Sequence, residues 1–155
     1  ATHNGMSICF NESDARLIGR TARGVRAITL DEDDYVVGFA ASLDGYTLLT
    51  VSETGFGRKS SFDDYRVQSR GGKGIINFKV TPKTGPVIGA KSVLDDEALV
   101  LLTSTNKIIR MGVDEIRSVG RATIGVRLVK LDDGARVVGF DTVNSDADAG
   151  SEEAL

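Results

Sequence analysis

The residues in this chain with the means to do chemistry are cations, and they recur. Arg16, Arg20, Arg23 and Arg26 crowd one loop, Arg66, Arg70 and Lys73 a second, and Arg117, Arg121 and Arg127 a third. Two further pairs, Arg58 with Lys59 and Lys107 with Arg110, sit beside short apolar runs. Cations at a repeated spacing suit a repeated anion, and a nucleic-acid backbone is the polymer that presents one. The run Gly71-Gly72-Lys73-Gly74 adds backbone amides that a phosphate can approach without side-chain obstruction. It has no Walker spacing and no helix is expected after it, which argues against a nucleotide-binding loop.

Catalytic and metal chemistry lack their reagents. His3 is the single histidine and adjoins Asn4-Gly5, a hairpin-turn dipeptide, so it reads as a solvated turn residue. Cys9 is the single cysteine, which excludes an intrachain disulfide and a multi-cysteine metal site, and it reads as a small buried hydrophobe on a strand. Asp31-Glu32-Asp33-Asp34 lacks the calcium-loop pattern and reads as a solvated hairpin turn. No catalytic residue, metal ligand or cofactor is expected in this segment.

The cations are positioned by an internal repeat with a period of about 50 residues. The first copy, Gly19-Arg20-Thr21-Ala22-Arg23-Gly24-Val25-Arg26, passes through an acidic turn to Tyr35-Val36-Val37-Gly38-Phe39. The third, Gly120-Arg121-Ala122-Thr123-Ile124-Gly125-Val126-Arg127, leads through Asp132-Asp133-Gly134 to Arg136-Val137-Val138-Gly139-Phe140. A divergent second copy is centred on Gly74 and ends Val87-Ile88-Gly89-Ala90. Between the copies lie Tyr46 to Val51 and Ala98 to Thr103, apolar runs that read as strands, each followed by a turn and a half-buried strand. Met6 to Phe10 corresponds to the strand after the turn, so the chain is expected to begin inside a blade.

Each unit thus supplies about four antiparallel strands, the arithmetic of a propeller blade, and the expected fold is all-β. Three repeats fill residues 1–140, centred on Gly24, Gly74 and Gly125, with the first truncated at its N-terminus. Stacked repeats would align the basic loops along one edge and the acidic turns along another. The formal charge of -3 conceals this, because all 19 Lys and Arg residues precede Asp141, against 17 of the 22 acids. The body therefore carries +2, and residues 141–155 are expected to form a disordered acidic tail. No membrane span and no signal peptide is apparent, so a soluble, unexported chain is expected.

The pattern Gly-Arg-x-x-x-Gly-Val-Arg, acidic turn, Val-Val-Gly-Phe resembles the repeat in the C-terminal domain of the DNA gyrase A subunit. Gln68-Ser69-Arg70-Gly71-Gly72-Lys73-Gly74 is similar to the heptapeptide called the gyrase A box, with Ser69 where the family motif has arginine. It is read as a later, degenerate copy of the box. The resemblance implies a six-bladed β-pinwheel of which three blades are present here, wrapping duplex DNA without reading its sequence. It further implies a bacterial cytoplasmic enzyme that supercoils DNA, an A2B2 assembly with gyrase B, and ATP and magnesium used elsewhere in that assembly. The C-terminal domain of the topoisomerase IV A subunit shares the blades but lacks an intact box. On this reading the DNA-binding residues are Arg20, Arg23, Arg26, Arg58, Lys59, Arg70, Lys73, Lys107, Arg110, Arg121 and Arg127. The alternative from another class is a protein-interaction propeller with a solvated basic rim, but the Trp-Asp signature of WD repeats is absent because the chain has no tryptophan.

Overall fold

The structure, a computed structural model, describes residues 1–145; the remainder of the acidic tail, 146–155, lies outside the described residues. Nine strands are present among the described residues: β1 (Met6–Ser7), β2 (Thr47–Ser52), β3 (Phe56–Ser60), β4 (Ile75–Ile76), β5 (Val87–Val93), β6 (Glu97–Thr103), β7 (Ile108–Gly112), β8 (Val126–Arg127) and β9 (Val137–Asn144). They pair antiparallel in three sheets, β1-β4, β5-β2-β3-β8 and β7-β6-β9. The chain belongs to the all-β class that its alternating apolar runs dictate.

The repeat of the sequence and the sheet of the structure do not coincide. The hairpin β2-β3 takes β5 from the second copy on one side and β8 from the third copy on the other. Earlier in the chain, Thr2 bridges Val36 of the first copy while β1 pairs with β4 of the second. A sheet is therefore a hairpin, the Val-Gly strand of the copy after it, and the Gly-Val strand of the copy after that. The Gly-Val segment at Gly24 has no such partner among the described residues and is not a regular strand there, contrary to the expectation from its sequence.

Strand β2 shows why this weaving holds. Leu49 and Val51 belong to an apolar cluster with Val93, Leu99, Leu101, Val113, Ile116 and Val137, which unites the second and third sheets. Leu48, one residue out of phase, packs instead with Tyr65 and Ala90, against Ala1 and Cys9 of the first unit and Ile75 of β4. Side chains alternate faces along a strand, so burial of both phases means a neighbour on each face. At roughly 1.5–3 kcal/mol for each fully buried Leu or Val, these interfaces are a principal driving force for stacking the units.

Each hairpin ends in a single 3-10 turn, at Glu12–Asp14, Phe62–Asp64 and Val113–Glu115. The side chains of Asn11 and Ser61 cap the first two by accepting from Ser13 N and Asp63 N. In the third the Glu115 carboxylate accepts from Gly112 N at 2.9 Å. These turns start the loops that carry the cations, so their caps fix where the loops begin.

Two expectations need correction. Asp141 to Asn144 are not tail but the end of β9, paired with Glu97 to Val100, and Asp141 contacts Lys91. The pairing with β6 continues past Phe140 because backbone partners, and not net charge, decide where a strand stops. The strand after the second hairpin turn is not half-buried either. Every residue of β3 is buried, because β2 and β8 flank it and Asn77 and Phe78 lie against the Arg58 side chain. Strand β7 has only β6 as a partner among the described residues and keeps the half-buried alternation expected, with Ile108 and Arg110 exposed and Ile109 and Met111 packed against the core.

Candidate nucleic-acid interface

The loops after the 3-10 turns are held by a contact made twice. Arg70 donates from Nε to the Asp14 carbonyl at 3.1 Å and from Nη1 to the Arg26 carbonyl at 2.6 Å. Arg121 repeats this one unit on, to the carbonyls of Asp64 at 3.0 Å and Ile76 at 3.0 Å. Each guanidinium forks across the 3-10 turn and the Gly-Val segment of the preceding unit, satisfying carbonyls at a unit boundary. Arg70 and Arg121 are thus clamps between units rather than free rim charges. Arg20 occupies the corresponding position but has no hydrogen-bond or ion-pair partner among the described residues, and it is exposed.

The heptapeptide Gln68 to Gly74 is a latch of the same kind. Gln68 N donates to the Cys9 carbonyl at 2.8 Å and Gly71 N to that of Ala27 at 2.7 Å. Thr29 in turn donates from N to Gly72 O and from Oγ1 to Gly71 O. Gly74 has φ +78, and a Cβ there would run into the Ser7 carbonyl, while Gly125, with φ +69, is pressed in the same way onto Gly57. One amide expected to face a phosphate is therefore spent between units. Lys73 remains outside, 75% exposed and 3.5 Å from Asp31.

Arg58 and Lys59 are corrected outright. Arg58 is 0% exposed, with Nη1 on Ser60 Oγ, Nη2 3.2 Å from Asn77 Oδ1, and its guanidinium 5.7 Å from the Phe78 ring centroid. Asn77 Oδ1 also accepts from Tyr65 Oη at 2.5 Å, and Asn77 Nδ2 donates to Thr50 Oγ1 at 3.2 Å. The positions corresponding to Thr50, Arg58, Ser60, Tyr65 and Asn77 in the next unit are Leu101, Ile109, Met111, Ile116 and Leu128. The middle unit has exchanged an apolar cluster for a hydrogen-bonded one. Lys59 is 4% exposed and reaches Asp95 at 2.5 Å. Neither cation meets a phosphate in this fold.

Among the remaining candidates Arg20, Arg23, Arg26 and Arg127 are exposed and free of carboxylates among the described residues. Lys107 pairs with Asp132 at 2.6 Å, and Arg110 reaches the Ser145 carbonyl at 3.4 Å. The position that recurs without a structural duty is another one. Arg16, Arg66 and Arg117 each follow the 3-10 turn by two residues, all exposed and none paired with a carboxylate among the described residues. Their common phase was visible in the sequence, but nothing there distinguished them from the clamping arginines four residues later.

The family described as DNA gyrase C-terminal domain, beta-propeller, matches residues 1–42, 46–93 and 97–144, one match for each unit. The chain belongs to the DNA gyrase A C-terminal domain family. Its match boundaries fall in the loops between a Val-Gly strand and the next hairpin, and the third runs to the end of β9. The DNA gyrase A subunit of Lawsonia intracellularis is 60% identical over 157 residues, covering 99% of the chain and 19% of that protein. Its counterpart in Helicobacter pylori (strain ATCC 700392 / 26695) is 47% identical over 135 residues, covering 86% of the chain and 16% of that protein. The chain thus spans about a fifth of the length of these relatives. Among solved structures, a DNA gyrase A C-terminal domain superposes with TM-score 0.82 at 27% identity, covering 91% of the chain and 48% of the other. A topoisomerase IV C-terminal domain superposes with TM-score 0.86 at 22% identity, covering 94% and 46%, which speaks for the shared fold alone. The gyrase domain family accounts for the pinwheel blades that the repeat implied.

Proposed function

We propose that this chain binds duplex DNA through the sugar-phosphate backbone, as part of the DNA-wrapping domain of a gyrase A subunit. The observation that carries the reading is the recurrence of Arg16, Arg66 and Arg117, exposed and unpaired among the described residues, at one place in each unit. Arg20, Arg23, Arg26 and Lys73, also exposed, follow them along the same loops. No recognition helix is present among the described residues, and arginines on irregular loops suit phosphates rather than base edges. The longer protein would then wrap DNA for supercoiling, with the rest of the A subunit, gyrase B, ATP and magnesium supplying strand passage in a bacterial cytoplasm. Among the described residues no helix is long and apolar enough to cross a membrane.

The test is a titration of mixed-sequence duplex at several salt concentrations. Each phosphate contact contributes a slope of about -0.9 to log K against log salt. Replacing Arg16, Arg66 and Arg117 with glutamine should flatten the slope by about 2.7 if all three touch phosphates. A slope identical to that of the parent, or affinity confined to one sequence, would defeat the reading.

A further inference from the structure

A second basic feature lies at the far end of β3, away from the 3-10 turn and Arg66. Beside the tip of the hairpin β2-β3 is a notch of about 220 Å³ whose lining includes Thr54, Phe56, Lys83, Arg127, Lys130 and Leu131. Lys83 Nζ and Arg127 Cζ each stand 5.3 Å from the Phe56 ring centroid, so the two charges are at most about 10.6 Å apart. Among the described residues no carboxylate lines the notch. Glu53 is turned toward Gly85 and Arg136, and Asp132 is engaged by Lys107.

Backbone contacts fix the segments that bear all three cations. Arg127 is the cross-strand partner of Phe56 in the β3-β8 ladder, so register sets it over the ring. The turn bearing Lys83 is tied to the hairpin tip, because Thr54 donates from N to Thr84 O at 3.2 Å and from Oγ1 to Lys83 O at 2.7 Å. Lys130 follows Leu128 and Val129, whose amides both point to the Gly55 carbonyl. Phe56 is 6% exposed, so its ring serves to hold cations by its quadrupole and is not a platform for a base. The set occurs once among the described residues. The turn at Lys83 corresponds to Asp31 to Asp34 in the first unit and Asp132 to Gly134 in the third, and Phe56 corresponds to Met6 and Lys107. The middle unit alone has reversed the charge of this edge.

Three like charges converging on one notch repel one another, and an anion seated between them relieves that repulsion. A guanidinium and two ammonium groups supply donors and no acceptor, which matches a phosphodiester oxygen pair. Resting on the DNA-binding reading above, we propose that the notch between Lys83, Arg127 and Lys130 is a discrete seat for a DNA phosphate, separate from the line of Arg16, Arg66 and Arg117.

The experiment compares the full chain with Lys83→Gln, Lys130→Gln, the double variant, and Lys79→Gln, an exposed lysine that does not line the notch. Mixed-sequence duplex is titrated at several salt concentrations, and thermal unfolding checks that each variant folds. The double variant should flatten the log K against log salt slope by about 0.9, the share of one phosphate, and weaken binding more than tenfold at low salt. Lys79→Gln should stay within about twofold of the parent, as a non-contacting charge acting only at screened distance. A double variant with the parental slope, or equal losses for Lys79→Gln and Lys83→Gln, overturns the seat while DNA binding itself stands. Absence of salt-dependent binding by the parent chain overturns both readings.

Discussion

Replacing Arg121 with alanine separates structural from functional arginines most sharply. Its guanidinium makes two hydrogen bonds, 3.0 Å each, to the carbonyls of Asp64 and Ile76. A hydrogen bond to a charged group contributes roughly 1.5–3 kcal/mol when sheltered. Arg121 is half-buried, so water reclaims part of this, leaving on the order of 1 kcal/mol per bond and about 2 kcal/mol in all. In a domain of this size 1 kcal/mol moves the melting temperature by about 2–4 °C, which puts Arg121→Ala about 4–8 °C below the parent. Arg20→Ala, at the corresponding but unpartnered position, should remain within about 0.5 kcal/mol and move the melting temperature by no more than about 2 °C. DNA titration should show the opposite order. Arg20→Ala flattens the salt slope by up to about 0.9, whereas Arg121→Ala, assayed where it is folded, keeps it. Arg121→Lys should recover little stability, since one ammonium cannot fork between two carbonyls as a guanidinium does. Equal melting temperatures and equal slopes for Arg20→Ala and Arg121→Ala would refute the assignment of the clamp.

Other expectations follow from the same geometry. Gly74→Ala and Gly125→Ala should each melt well below Gly24→Ala, because all three add about 1–2 kcal/mol of backbone cost at positive φ but only the first two meet a carbonyl. Arg58→Ile should lower stability in urea unfolding by about 2 kcal/mol or more, leaving Asn77 and Ser60 short of partners. Introducing the third unit's residues together, as Thr50→Leu, Arg58→Ile, Ser60→Met, Tyr65→Ile and Asn77→Leu, should cost far less than the sum of the single changes. Asp141 is held below the ordinary carboxylate range by the Lys91 side chain and the Thr142 amide. Its contribution is therefore present above the ordinary aspartate range and lost as pH falls through the folded value. Because the pair is exposed, Asp141→Asn should remove less than about 1 kcal/mol at neutral pH, read as a smaller acid-side decline in melting temperature.

The fold was legible because its signals are local and repeated. Runs such as Leu48 to Val51, turns at Asn4-Gly5 and Gly55, and the recurrence of Gly24, Gly74 and Gly125 each state their element within a few residues. What was hidden depends on partners distant in the chain. Nothing around Val126 says that it pairs with Gly57, 69 residues earlier, and so nothing says that β3 is flanked on both sides. The misassignment of Arg58 and Lys59 follows from that, since an alternating polar strand reads as half exposed unless a second neighbour covers it. Arg70 and Arg121 misled for a related reason: a cation beside glycines looks the same whether its acceptor is a phosphate or a carbonyl one unit away. Lys83 did carry a signal, being basic where the other copies are acidic, but only the ring of Phe56 gives that reversal a place to act.

The weaving of strands has a consequence for how such a chain can grow or be cut. Each of the first two hairpins makes the same demand on the chain downstream, one strand from the next copy and a shorter one from the copy beyond. A duplicated repeat is therefore received like another thread on a loom: its neighbours need no new complementary surface, because the grooves it fills are those its sibling already filled. Division is another matter. Severing the polypeptide at any border between repeats leaves a fringe on both pieces, a hairpin short of its outer strand on one and an orphaned Gly-Val strand on the other. Accretion by whole copies is cheap in this architecture, whereas trimming it to a free-standing single repeat would forfeit the partners of at least two sheets.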